Sequence, residues 1–191
     1  MTVSYLLQSY AVEVAQRVLK SDFDLLATIV QRLVAVKTGG FTIYTAGNGG
    51  SSATASHFCN DLVKGCRINE REGFRAFCLS DPVALVTCLA NDYSYDVIFS
   101  TQLKTFAKQG DVLVVFSGSG NSPNIIEALK TAHATGIFTI GFSGRDGGKM
   151  KELCDLLLLA PTDSMEQIED LHLIYVHAII SAIKDELHRS Y

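Results

Sequence analysis

The chain has no C-x-x-C pair, no cluster of basic residues and no apolar run near the ~20 residues of a membrane span. Each absence removes a class of protein. Its five cysteines (Cys59, Cys66, Cys78, Cys88 and Cys154) are scattered. They read as small buried hydrophobes in a reducing compartment, not as a disulfide framework or a cysteine-based metal site. A formal net charge of −4 without a basic stripe argues against a nucleic-acid surface. Residues 1–5 lack the basic opening of a signal peptide, so a cytoplasmic protein with no membrane association is expected. There is also no low-complexity tract, no linker and no long internal repeat.

What is present is a well-packed composition. Hydrophobic residues make up 48% and charged residues 19% of 191, which excludes disorder and suits one α/β domain with a full core. Residues 1–38 are expected as an N-terminal helical extension and 39–191 as the core of a single domain. Apolar positions at helical spacing fill residues 2–37, with Ser21-Asp22 a natural N-cap between two helices. Strands are expected at 41–45, 75–79, 111–116, 137–142 and 156–159. Helices are expected at 51–65, 82–90, 99–108, 122–135, 147–153 and 165–188. Five short apolar strands separated by helices predict a parallel sheet covered on both faces. Ligands of such sheets bind at the carboxyl ends of the strands.

Two loops fall at those ends. Thr45-Ala46-Gly47-Asn48-Gly49-Gly50-Ser51-Ser52 follows the first strand, and Phe116-Ser117-Gly118-Ser119-Gly120-Asn121-Ser122 follows the third. Glycines let backbone approach an anion, the serine hydroxyls can donate to oxygens, and a helix N-terminus follows each loop. Neither is a Walker A or a dinucleotide fingerprint. Either loop alone is explained by a turn and an N-cap; together they predict a site for a phosphorylated small molecule. Candidate acid–base groups stand nearby in the pattern. His57 and Asp61 share one face of a helix at i, i+4, and Glu169, His172 and His177 share a broad stripe of the last helix.

Gly47-Asn48-Gly49-Gly50-Ser51, His57-Phe58, Asn91-Asp92-Tyr93, residues 117–122 and Gly144-Arg145-Asp146-Gly147-Gly148-Lys149 together resemble a sugar isomerase (SIS) domain. More narrowly they resemble the phosphoheptose isomerases, over about residues 2–188. The resemblance implies a flavodoxin-like three-layer sandwich with a five-stranded parallel sheet, preceded by N-terminal helices. It implies a homotetramer with active sites between subunits. The implied activity is aldose–ketose isomerisation of sedoheptulose 7-phosphate to D-glycero-D-manno-heptose 7-phosphate through an enediol. By the same resemblance Asp61 and His177 match the catalytic pair, with Asp61 or Glu169 as the base. His57, Asp61, Glu169 and His177 match a metal set that holds Zn²⁺ in some members. Ser51, Ser117, Ser119 and Ser122 match the phosphate cradle, with Gly49, Gly50 and Gly118 in its loops, and Asn48 and Asp92 match contacts to sugar hydroxyls.

Four positions depart from the family pattern. Asp61 replaces a glutamate and Glu169 a glutamine; Gly118 replaces a threonine, removing one hydroxyl from the cradle. Gly65 stands where an arginine is expected, and Lys64 or Arg67 is the expected substitute charge. The Asn91–Tyr93 stretch is a turn with a functional residue, and Gly144–Lys149 a loop before a helix start. The competing expectation is a non-catalytic relative that binds another protein, or an isomerase or sensor for a different phosphosugar. Both carboxylates and both histidines are retained here, which a pure adaptor has no need of.

Overall fold

A computed structural model describes residues 1–67 and 72–189 of the chain; residues 68–71 and 190–191 of the expected domain lie outside the described residues. The N-terminal pattern forms two helices, α1 (Val3–Val18) and α2 (Phe23–Thr38). Asp22 separates them by accepting a bond from the Leu25 N–H at 2.9 Å, the expected N-cap. The two helices differ in role. α2 buries Leu26, Ile29, Val30, Leu33 and Val36 against the sheet, whereas no residue of α1 is buried.

Five strands follow: β1 (Thr42–Gly47), β2 (Arg75–Cys78), β3 (Val112–Ser117), β4 (Phe138–Gly144) and β5 (Leu156–Ala160). They form one sheet in the order β2-β1-β3-β4-β5, with every pair parallel. The connecting helices are α3 (Gly50–Asn60), α4 (Val83–Asp92), α5 (Ser100–Phe106) and α6 (Pro123–Ala134), and α7 (Met165–Arg189) closes the chain. Alternation along β3 divides the core. Val112, Val114 and Phe116 face one hydrophobic cluster with residues of α2, α3 and α7, and Leu113 and Val115 face another with residues of α4, α5 and α6. Phe116 stacks on Phe142 at 4.9 Å between centroids, and both are fully buried; each such side chain contributes roughly 1.5–3 kcal/mol. Among the described residues no helix is long and apolar enough to cross a membrane.

Two expected helices are corrected. The run expected over 51–65 leaves α-geometry at Asn60 and continues as a π-turn, Asp61–Gly65, where the wider i→i+5 closure joins the Cys66 N–H to the Asp61 carbonyl. The segment expected over 147–153 is a short 3₁₀ turn, Gly148–Glu152. Asn91 and Asp92 are the last residues of α4, not part of a free turn. The strand order reverses direction between β1 and β3, which makes the crevice above those two strands the ligand position of this topology. Both Gly/Ser loops leave from there.

Candidate active site

The first loop is shaped by close backbone returns. A Cβ on Gly47 would stand 2.3 Å from the Ser51 carbonyl oxygen, so no side chain fits as the chain doubles back into α3. Ser80 fastens the same residue from β2's side. The Gly47 N–H donates to the Ser80 Oγ at 3.3 Å, and that hydroxyl donates to the Gly47 carbonyl at 2.9 Å. Gly49 caps α3 without a side chain, and Ser51 is buried in its first turn.

The second loop holds its hydroxyls ready in a different way. Ser122 is the N-cap of α6 but makes no capping bond to that helix; its Oγ lies 3.3 Å from the Oγ of Ser117. The Ser119 Oγ accepts from the Asn121 N–H. Gly144–Lys149 braces this loop from β4. The Gly144 N–H donates to Gly118, the Met150 N–H to Gly120, and the Lys149 N–H to the Asn121 Oδ1. Arg145 in that brace adopts φ 54°, a conformation uncommon for a residue with a Cβ. Gly118 is roofed: a Cβ there would meet the Met165 Sδ at 2.5 Å, so the hydroxyl expected at this position is replaced by the thioether's space.

α3 and α7 then deliver the ionisable groups. His57 Nε2 lies 3.3 Å from Asp61 Oδ2, and His177 Nε2 lies 3.0 Å from His57 Nε2. The two rings meet edge to face at 4.9 Å between centroids. One ligand atom from each of His57, Asp61 and His177 falls within 4.8 Å of the others, with both histidines exposed and Asp61 half-buried. The π-turn begins at Asp61, so the change of helix pitch occurs at the carboxylate itself. Such π segments recur at functional sites.

Of the four residues expected as a metal set, His57, Asp61 and His177 bring their ligand atoms together. Glu169 stands apart, its carboxylate over the first residue of α3: a Cβ on Gly50 would be 2.6 Å from Glu169 Oε2 and 2.8 Å from Oε1. The dipole at the amino end of α3 favours a carboxylate there. The expected stripe of α7 also divides. Residues turn by about 100° each in a helix, so His172 and His177 stand about 140° apart. His172 points into the core beside Phe116 and Phe142, where its Nε2 donates to the Ser143 carbonyl at 3.1 Å. Burial pulls its pKa down to about 4, against the opposing pull of the Ser143 bond, and the ring is neutral at pH 7.

The remaining expected residues are placed as follows. Asp92 is exposed; its carboxylate accepts from the Asn91 amide at 2.8 Å and the Cys88 thiol at 3.3 Å, which together hold its pKa below the usual carboxylate value. Asn48 bonds to Asn124 and Tyr95, neither of which the sequence pattern marked. The gap left at Gly65, where an arginine is expected, borders Asp61 and α7. The point a Gly65 Cβ would occupy is 3.7 Å from Asp61 Oδ1 and 3.8 Å from Lys184 Cε, so α7 brings a lysine side chain to that gap. Lys184 is marked by no motif quoted from the sequence, and the packing of α7 on the π-turn reveals it.

Comparison with known proteins points the same way as this geometry. Residues 8–144 match the family model described as SIS domain. A phosphoheptose isomerase of Aliarcobacter butzleri is 43% identical over 156 residues, covering 81% of this chain and 82% of its own. A probable phosphoheptose isomerase of Thermoplasma acidophilum is 37% identical over 179 residues, covering 94% and 98%. Among solved structures, a phosphoheptose isomerase from Francisella tularensis superposes with a TM-score of 0.91 at 27% identity, over 97% of this chain and all of that one.

Proposed function

We propose a function from one premise: the chain belongs to the SIS-domain family and, within it, to the phosphoheptose isomerases. It is an aldose–ketose isomerase that converts sedoheptulose 7-phosphate to D-glycero-D-manno-heptose 7-phosphate. The observation that carries this reading is the convergence of His57, Asp61 and His177 between α3 and α7, with Glu169 of α7 lying over the first residue of α3, where the first hydroxyl-lined loop ends.

In this reading the phosphate sits between the loops. Ser51, Ser117, Ser119 and Ser122 donate to its oxygens, and the amino ends of α3 and α6 favour its charge. The glycines at 49, 50 and 118 keep side chains out of the seat, and Asn48 and Asp92 flank the sugar hydroxyls. The sugar chain then runs along α3 toward the ionisable groups. A carboxylate, Asp61 or Glu169, takes the proton from C1 of the ketose as the C2 carbonyl oxygen gains one from His177, giving a cis-enediol. The O1 proton is then removed and C2 is protonated, which leaves an aldehyde at C1 and no net change in atoms or electrons. Two carboxylates in different settings suit this division: Asp61 beside an imidazole, Glu169 on a helix N-terminus.

The donors also fit a metal ion. In a tetrahedral Zn²⁺ site with bonds near 2.0–2.1 Å, neighbouring ligand atoms lie about 3.3 Å apart, close to the 3.0 and 3.3 Å seen here. His57, Asp61 and His177 would hold the ion, and one Zn²⁺ per subunit would polarise the substrate carbonyl as a Lewis acid. Glu169 remains a candidate fourth ligand only if it leaves Gly50.

We further read the chain as one SIS domain that assembles as a homotetramer, with the sites completed between subunits. Support comes from α1, which leaves Val3, Tyr5, Leu6, Leu7 and Val12 exposed, more than half of each surface. Sugar phosphates do not cross membranes unaided, which supports a cytoplasmic setting. The test is turnover: purified protein should convert sedoheptulose 7-phosphate to the aldoheptose in the presence of Zn²⁺, with solvent deuterium entering at C2 of the product, and His177→Ala should abolish it. Absence of turnover with and without Zn²⁺ would sink the heptose reading.

A further inference from the structure

We infer that Asn124 is a positioning residue that holds the two phosphate loops at their working separation, through a reciprocal amide pair with Asn48 that Tyr95 completes. The inference rests on the phosphosugar reading of those loops. Asn124 is the second residue of α6 and only 1% exposed, on a helix face otherwise filled by Ile125, Ala128 and Leu129. A buried amide among apolar side chains costs stability unless its donors and acceptor are all used. Here one amide hydrogen and the oxygen are used across the crevice. The Asn124 Nδ2 donates to the Asn48 Oδ1 at 2.8 Å, and the Asn48 Nδ2 donates back to the Asn124 Oδ1 at 2.8 Å. That second oxygen also accepts from the Ile125 N–H. The Tyr95 hydroxyl donates to the Asn48 Oδ1 at 2.9 Å.

These bonds join residues 76 and 47 positions apart in the chain. They tie the loop after β1 to the helix that follows the loop after β3, and tie both to the segment just beyond Asp92. A phosphate gripped from two sides needs its two walls at a fixed spacing, and sheet pairing sets that spacing only below the loops. Above the sheet, the amide pair sets it. Asn48 is then committed to the frame by its carbonyl oxygen and by one amide hydrogen, leaving a single hydrogen for substrate.

The experiment compares Asn124→Asp and Tyr95→Phe with wild type by kcat and KM for sedoheptulose 7-phosphate, and by calorimetric Kd for inorganic phosphate. Asn124→Asp keeps the shape but removes the donor and sets a carboxylate against the Asn48 oxygen. KM and the phosphate Kd should rise about tenfold, with kcat within about threefold of wild type. Tyr95→Phe should raise both about threefold; Tyr95 is 53% exposed, so this variant folds even where the first does not. Because both changes act on one oxygen, the double variant should be no worse than Asn124→Asp alone. Unchanged KM and phosphate affinity in Tyr95→Phe, fully additive losses in the double variant, or a fall confined to kcat would each overturn the inference. Wild-type protein that binds neither phosphate nor substrate would instead overturn the phosphosugar reading beneath it.

Discussion

Glu169 and Gly50 are complementary in shape: the carboxylate lies where the next residue larger than glycine would put its Cβ, 2.6 Å from Oε2. Helix α7 thus reaches across to the first turn of α3, and the absence of one methyl group sets how closely. Gly50→Ala should push the carboxylate off that turn without disturbing the core, since Gly50 is exposed. Misplacing a catalytic group by about 1 Å costs on the order of 100-fold in rate. We expect kcat to fall by 10- to 100-fold with an unchanged far-ultraviolet circular dichroism spectrum, and steady-state kinetics of the purified variant check it.

The roof over Gly118 makes a compensating pair testable. Gly118→Thr would add back a hydroxyl to the cradle, but its Cβ would arrive 2.5 Å from the Met165 Sδ. The thioether is flexible, so the protein should fold while the loop shifts, raising KM about tenfold. Trimming the roof with Met165→Ala in the same chain should return KM to within about threefold of wild type. A double variant no better than Gly118→Thr alone would show that the two residues do not share that space functionally.

Metal content separates the triad from its neighbour. Elemental analysis after Zn²⁺ loading and desalting should give close to one ion per chain for wild type. His57→Ala should lower affinity by at least about tenfold, as loss of one of three protein ligands requires. Glu169→Gln should leave it nearly unchanged, because Glu169 lies outside the three converging ligand atoms.

Buried His172 predicts an acid-sensitive fold. Its folded pKa of about 4 lies below the ordinary value of 6.5, so between those pH values the unfolded chain binds the extra proton. Stability is then fully present above pH 6.5 and is lost as pH falls toward 4, by roughly 3 kcal/mol over the window. His172→Gln keeps a donor for Ser143 and removes the titration. Urea melts at pH 7 and pH 4.5 should show a smaller difference for this variant than for wild type.

Much of this was legible from residue order. The five strands, the N-cap at Asp22 and the two hydroxyl loops each follow from local pattern, because periodicity and turn chemistry act within a few residues. The pairing of His57 with Asp61 was equally local. What the pattern could not reach were contacts set by how α7 lies across α3. That crossing turns His172 inward, brings Lys184 toward Gly65, and parks Glu169 on Gly50. The π-turn was invisible too, since no residue in Asp61–Gly65 distinguishes a wide turn from an ordinary one. Asn124 carries no sequence signal beyond being polar on an apolar helix face.

A sixteen-residue helix is marginal in water on its own, and α1 fully buries none of its side chains within its own chain, with Val18 alone packed on the core from its last turn. Its attachments are few: the Tyr10 hydroxyl donates to Asp170 at 2.5 Å, and the Gln167 amide donates to Glu13 at 3.0 Å. Both attachments land on α7 immediately beside Glu169. In the proposed tetramer, dilution should accordingly unwind α1 while the sheet stays intact, opening residues 3–18 to proteases. Whatever covers α1 would then bear on the carboxylate two attachments away, so that catalysis and self-association titrate together.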